Sequence, residues 1–271
     1  MAKKKIGPQL LGCVPSPPDE RDWKLSTFFG DRETLLGRAV AELKQTTVGY
    51  TYFTKKDAEP GAKSRWGKAL TLLNYLDQSW SGGIDKSLVW NLPKVLDQGQ
   101  TGHCVGFGWA GWSIAPPYEN SKYTNKDAHD IYYEIKEIEG EPGQENGAYV
   151  RSGAKAMLAR KRLSAYAFAD DFSAIFKYFF TKGPIVIGTS WMNDMFDPDS
   201  NGFVKPTGGE AGGHCYLLVG YEINGQEQNL LFQNSWGSAW GLGGRFRMKI
   251  DDFRSLWSNW GEAIGSLELD I

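Results

Sequence analysis

The chain has 271 residues, with 41% hydrophobic and 14% aromatic side chains and 30 Lys+Arg against 32 Asp+Glu. That is enough apolar material for one large domain or two closely packed subdomains. The balanced charge argues against a nucleic-acid partner and against a disordered chain. No apolar run reaches the roughly 18 residues that a membrane-spanning helix needs.

The N-terminus, with Lys3 to Lys5 followed by Leu10-Leu11-Gly12-Cys13, has the outline of a lipoprotein signal. Its apolar stretch, Ile6 to Gly12, is interrupted by Pro8 and Gln9 and falls short of a signal core. The expectation is no lipidation and no membrane, with the protein cytoplasmic or virion-associated. Cys13, Cys104 and Cys215 cannot pair completely and lack C-x-x-C spacing, so they read as free thiols with no metal site.

In chain order, residues 1–26 read as an extended segment rich in proline (Pro15, Pro17, Pro18). Residues 27–90 read as a partly helical insertion, with helices over 32–45 (Leu36, Val40, Leu43) and 65–79 (Trp66, Leu70, Leu73). Residues 91–271 form the remaining unit. Gly99 and Gly102 bracket a turn, after which Cys104 opens an apolar helix that Pro116-Pro117 stops. Helices follow over 127–139, 150–161 and 172–181, making 91–183 mainly helical. From 184 the chain is mainly strand: 185–191, 214–222, 229–233 and 245–250, with Asn224-Gly225 as a hairpin turn. A helical half followed by a strand half is an α+β plan with a cleft between the halves.

A thiol acts as nucleophile only as thiolate, and a helix N-terminus with a nearby imidazolium lowers its pKa. Cys104 stands at such a helix start, although a cysteine on an apolar helix also serves as inert packing. Of the three histidines, His103 is adjacent to Cys104 and points elsewhere on the helix, and His129 lies on a charged, solvated helix face. His214 opens a strand bound for the interior, where it is either a base or a core histidine. Asn234 precedes the turn Ser235-Trp236-Gly237-Ser238-Ala239-Trp240-Gly241. A carboxamide there could fix the ring of a base, and the tryptophans could shield that bond from water; an aromatic core turn is the alternative. Asp197-Pro198-Asp199-Ser200-Asn201-Gly202 has the start of an EF-hand loop, but Gly208 stands where the bidentate Glu is needed, so it reads as a polar turn.

Together, Gln98-Gly99-Gln100-Thr101-Gly102-His103-Cys104-Val105-Gly106-Phe107, then Gly212-Gly213-His214-Cys215-Tyr216, then Asn234-Ser235-Trp236-Gly237 with Trp240-Gly241, resemble in order and spacing the three active-site segments of papain-like cysteine peptidases. Cys13-Val14-Pro15-Ser16-Pro17-Pro18-Asp19-Glu20-Arg21-Asp22-Trp23 and the Cys-Val-Gly-Phe form resemble the bacterial and bacteriophage branch. The resemblance covers roughly 91–260 and implies a papain-like α+β fold, a helical subdomain and a β-barrel-like subdomain flanking the cleft. It implies peptide-bond hydrolysis without a cofactor, through an acyl-thioester on Cys104. By the same resemblance His214 forms an ion pair with Cys104, Asn234 orients His214, Gln98 joins the oxyanion hole and Trp236 covers the His–Asn bond. Gly147 and Ala148 would pair with substrate backbone and Tyr149 would wall a pocket.

The sequence departs from the family in Thr101, where eukaryotic members carry a disulfide cysteine, and in His103, a bulky neighbour to the nucleophile that puts the substrate path in question. The expected partner is a protein or peptide substrate, with residues 27–90 available to lid the cleft or contact a further partner. Two other readings stand beside this one: a peptidoglycan endopeptidase, and a phage structural or interaction protein that keeps the fold.

Overall fold

The structure, a computed structural model, describes residues 9–28, 87–118, 122–224 and 226–267. The helices expected over 32–45 and 65–79 lie outside these residues. In chain order the elements are β1 (Cys13–Val14), α1 (Leu25–Phe28), β2 (Leu88–Val89), α2 (Cys104–Ile114), α3 (Asn125–Ile138), β3 (Ala148–Tyr149), α4 (Val150–Ala159), β4 (Ala165–Phe168), α5 (Phe172–Thr181), β5 (Ile185–Met192), a 3-10 turn (Asn193–Phe196), β6 (Glu210–Asn224), β7 (Glu227–Gln233), β8 (Arg245–Lys249), α6 (Ile250–Asn259) and β9 (Gly261–Leu267).

One sheet runs in the order β4-β9-β5-β6-β7-β8, with β2 also pairing on β6. The α+β plan holds, but the sheet does not close: no pairing joins β4 to β8 among the described residues, so it is a twisted open sheet rather than a barrel. Several described stretches were not anticipated as regular structure: β1, α1, β2, β3, β4, the 3-10 turn, α6 and β9. The strand β9 pairs with both β4 and β5, and α6 buries Ile250, Phe253 and Leu256 along one side.

The alternation of β6 explains the layering. Cys215, Leu217 and Val219 pack into one cluster with α2, α3 and α4. Tyr216 and Leu218 face a second cluster with Phe176, Phe179, Phe232 and Phe253. At about 25 cal/mol per Å² of apolar surface, the fully buried aromatics on the two faces dominate the stability.

The helix α2 has no polar face, and all eleven of its residues are buried. Glycines let it approach its neighbours directly. A β-carbon on Gly106 would overlap the Ala128 carbonyl of α3, and one on Gly108 would lie 2.7 Å from the Cys215 sulfur. The neighbouring α3 begins in a capping box, where Thr124 N–H donates to Asp127 at 2.7 Å and the Thr124 side chain accepts from Asp127 N–H.

Residues 9–23 cross the molecule as a strap. Its strand β1 pairs in parallel with β3, Cys13 opposite Ala148 and Val14 opposite Tyr149. Beyond it, Ser16 donates from its backbone and hydroxyl to Glu262, while Arg151 holds the Pro17 carbonyl and the Asp22 carboxylate.

Candidate active site

Three chain segments meet where α2 begins. His214 and Asn234 come from adjacent strands, β6 and the end of β7, and both are buried. His214 Nε2 lies 2.8 Å from Asn234 Oδ1, which also accepts the Ser235 backbone N–H at 2.7 Å. An oxygen acceptor fixes the proton on Nε2, and this leaves the Nδ1 lone pair free. His214 Nδ1 makes no hydrogen bond among the described residues.

Two indoles enclose the ring. Trp236 stacks on His214 with centroids 4.8 Å apart, and Trp191 meets it edge-on at 4.9 Å. Trp191 was not singled out in the sequence; the signal available was its place at the end of β5, paired with Gly212. Its indole and that of Trp236 also touch, at 5.1 Å. Each buried aromatic contact of this kind adds about 0.5–1.5 kcal/mol beyond area.

Cys104 begins α2, as expected, and is completely buried. Backbone hydrogen bonds from Cys215, Gly12 and Val105 draw its pKa down, but burial outweighs them and pushes the thiol up to about 11. Burial likewise pushes His214 down to about 4, against the opposing effect of Asn234. Burial therefore opposes the charged forms of the expected thiolate–imidazolium pair in this conformation, and both side chains are shut off from solvent.

The strap does the excluding. Gln98 donates from Nε2 to the Leu10 carbonyl at 3.1 Å and to the Thr101 carbonyl at 2.6 Å, while its Oε1 accepts from the Ser235 hydroxyl at 2.6 Å. Ala148 N–H donates to the Gly12 carbonyl at 2.8 Å. A β-carbon on Gly12 would overlap the Gly102 carbonyl, one on Gly213 would overlap the Cys13 carbonyl, and one on Gly212 would lie 3.2 Å from Leu11. Residues 10–13 thus pass over Gln98, Gly102, Cys104, Ala148 and Gly213. The edge expected to receive substrate backbone, Gly147 and Ala148, is taken by the chain itself; Tyr149 pairs with Val14.

His103 is turned away from this cleft. It is buried, stacked on Tyr132 of α3 at 3.7 Å, with Nε2 2.6 Å from Glu145 and Nδ1 2.7 Å from His129 Nδ1. Burial lowers its pKa. A neutral ring donating from Nε2 to Glu145 and accepting at Nδ1 from His129 satisfies every contact. The expected obstruction of the substrate path does not arise from His103, and His129 is a half-buried partner rather than a solvated surface residue. The polar turn over 197–202 spends the Asp199 carboxylate on its own backbone, accepting from Asn201 and Phe203 N–H at 2.8 and 2.9 Å. No group of three or more metal-ligating side chains occurs among the described residues.

A family model described as Papain family cysteine protease matches residues 115–256, just over half of the chain, including His214 and Asn234. The chain belongs to the papain family. The family match begins after Cys104, so the nucleophile position rests on the motif and the geometry. This papain-family chain is 35% identical over 85 residues to cathepsin B-like cysteine proteinase 6 of Caenorhabditis elegans, covering 31% of this chain and 22% of that one. It is 26% identical over 216 residues to an uncharacterized peptidase C1-like protein of Acanthamoeba polyphaga mimivirus, covering 62% of this chain and 68% of the other. The chain spans about a fifth to a third of the length of the first curated relatives it matches. Its fold is similar to that of xylellain, a cysteine protease from Xylella fastidiosa, with TM-score 0.59, 18% identity and 99% of each chain covered.

Proposed function

We propose that this chain is a cysteine-type peptidase that cleaves peptide bonds through an acyl-thioester on Cys104 and is held latent by its own residues 9–14. The carrying observation is the His214–Asn234 bond of 2.8 Å with Nδ1 left unpaired. In the open enzyme, Nδ1 takes the Cys104 proton and the thiolate attacks the substrate carbonyl. Gln98 Nε2 and the Cys104 backbone N–H receive the developing oxyanion. The His214 imidazolium protonates the leaving amine, and water then releases the acyl group with His214 as base. Asn234 keeps the ring in place throughout, and Trp236 with Trp191 keeps water from that bond.

Latency follows from what the strap does to each group. It puts the Leu10 carbonyl on Gln98 and a backbone N–H, rather than a carbonyl carbon, on the sulfur. We place the chain with the bacterial and bacteriophage members, a reading supported by the Cys-Val-Gly-Phe form and the viral relative. Three buried free thiols suit a reducing compartment.

The test is peptide cleavage by the full chain carrying Gly12→Val, whose β-branched side chain cannot fit against Gly102. Cleavage of an unbiased peptide library, lost when Cys104→Ser is added, supports the reading. A folded Gly12→Val protein that cleaves nothing, with Cys104 no more reactive than in the wild type, overturns it.

A further inference from the structure

The three cysteines of the chain come from distant segments and enter one core cluster. Cys13 belongs to the strap, Cys104 to the start of α2 and Cys215 to β6. Two glycines form the seat of Cys13. A β-carbon on Gly188 would lie 3.0 Å from the Cys13 sulfur, and one on Gly213 would overlap the Cys13 carbonyl. Gly188 is the β5 partner of Cys215, and Gly213 lies two positions before Cys215 on β6. Cross-strand partners and residues two apart share a sheet face. Cys13 therefore rests on the face from which the Cys215 side chain projects, with its sulfur at the cross-strand position directly beside it. Of the charges that oppose ionising Cys13, burial aside, Cys215 is the strongest and Cys104 the next.

We propose that Cys13 and Cys215 form a reversible disulfide that staples the strap to the histidine strand and keeps the cleft shut under oxidising conditions. The inference rests on the latent-peptidase reading and names how that latency is regulated. The oxidant is a low-molecular-weight disulfide. Cys13 thiolate attacks one of its sulfurs, the oxidant's S–S bond breaks, and one small thiol leaves. Cys215 thiolate then attacks the Cys13 sulfur of the mixed disulfide and releases the second small thiol. Two protein thiols are oxidised by two electrons, and one oxidant disulfide is reduced to two thiols that carry away the two protons. Seated, both thiols are buried and held protonated. The first step therefore belongs to a strap that has briefly lifted, and the second occurs as it reseats.

The experiment uses the full chain, incubated with oxidised glutathione, acid-quenched, alkylated and digested for disulfide mapping by mass spectrometry. In parallel, backbone hydrogen exchange of residues 9–14 is followed before and after reduction. The expected result is a Cys13–Cys215 peptide that dithiothreitol removes, with strap exchange at least ten-fold slower in the oxidised protein. Cys13→Ser and Cys215→Ser should each abolish that difference, and because Cys13 lies in the strap, its variant remains informative if Cys215→Ser misfolds. A Cys13–Cys104 peptide, glutathione left on Cys13, or equal exchange in both states overturns the proposal. None of these readouts needs catalysis. The staple can therefore stand while Gly12→Val proves inactive, and cleavage by Gly12→Val can stand without the staple.

Discussion

The side-chain amide of Gln98 donates to the main-chain carbonyl of Leu10 at 3.1 Å, so the donor expected to serve a reacting carbonyl is already serving one from the same chain. Gln98 is held for this by the Ser235 hydroxyl on its other face. The contact links the proposed oxyanion donor to the segment that covers it.

Gln98→Ala should act in opposite directions on two measurements. In the otherwise unaltered chain, loss of one strap hydrogen bond of about 1 kcal/mol should speed exchange of the Leu10–Gly12 segment about five-fold. Combined with Gly12→Val, it should lower kcat/KM by about a hundred-fold or more, the usual cost of one oxyanion donor. Steady-state kinetics and hydrogen exchange on the same proteins check both.

The Cys104 thiol, pushed up to about 11 in the seated state, is one part in about ten thousand ionised at pH 7. Iodoacetamide labelling of the wild-type chain should therefore rise only in strong alkali. In Gly12→Val, labelling at pH 7 should increase by about a hundred-fold or more as water and the imidazole reach the sulfur. Adding His214→Ala should remove most of the reactivity that persists below pH 7.

Burial holds His214 at about 4, below its ordinary 6.5. The unfolded chain binds this proton more tightly, so the associated stability is present above about pH 6.5 and lost as pH falls towards 4. The loss amounts to about 3 kcal/mol. Urea unfolding at a series of pH values should show this slope, and His214→Phe should flatten it.

Asn234→Ala leaves the His214 Nε2–H buried without an acceptor, which costs about 1–3 kcal/mol of stability in urea unfolding. In the Gly12→Val background it should also lower kcat by about a hundred-fold through misplacement of the ring. KM should change little, because Asn234 touches the base and not the substrate.

The helices α2 to α5 and the strands β5 to β8 were legible because each carries its own period or punctuation. Thr124 and Asp127 cap α3, Pro116-Pro117 follows α2, and β6 carries a continuous buried run from His214 to Tyr221. The strand β9 was not legible, since Gly261 and Gly265 interrupt its pattern and it holds a half-buried Glu262 and a buried Ser266. In α6 the spacing of Ile250, Phe253 and Leu256 was present but short. The His214–Asn234 pairing was legible from motif order. The strap's position was not, because Leu10, Gly12 and Cys13 dock through carbonyls, and backbone contacts leave no side-chain pattern. The burial of Cys104 and His214, which pushes the thiol up and the imidazole down, was equally hidden, because it depends on the strap lying over them.

The glycines of α2 have a mechanical consequence. With no side chain at Gly106 or Gly108 to act as a shim, the helix is gauged directly against the Ala128 backbone on one side and Cys215 on the other. Cys104 opens that helix, and His214 is the immediate neighbour of Cys215 in the chain. The spacing between the proposed nucleophile and its proposed base thus depends on two missing methyl groups, at positions where neither residue stands.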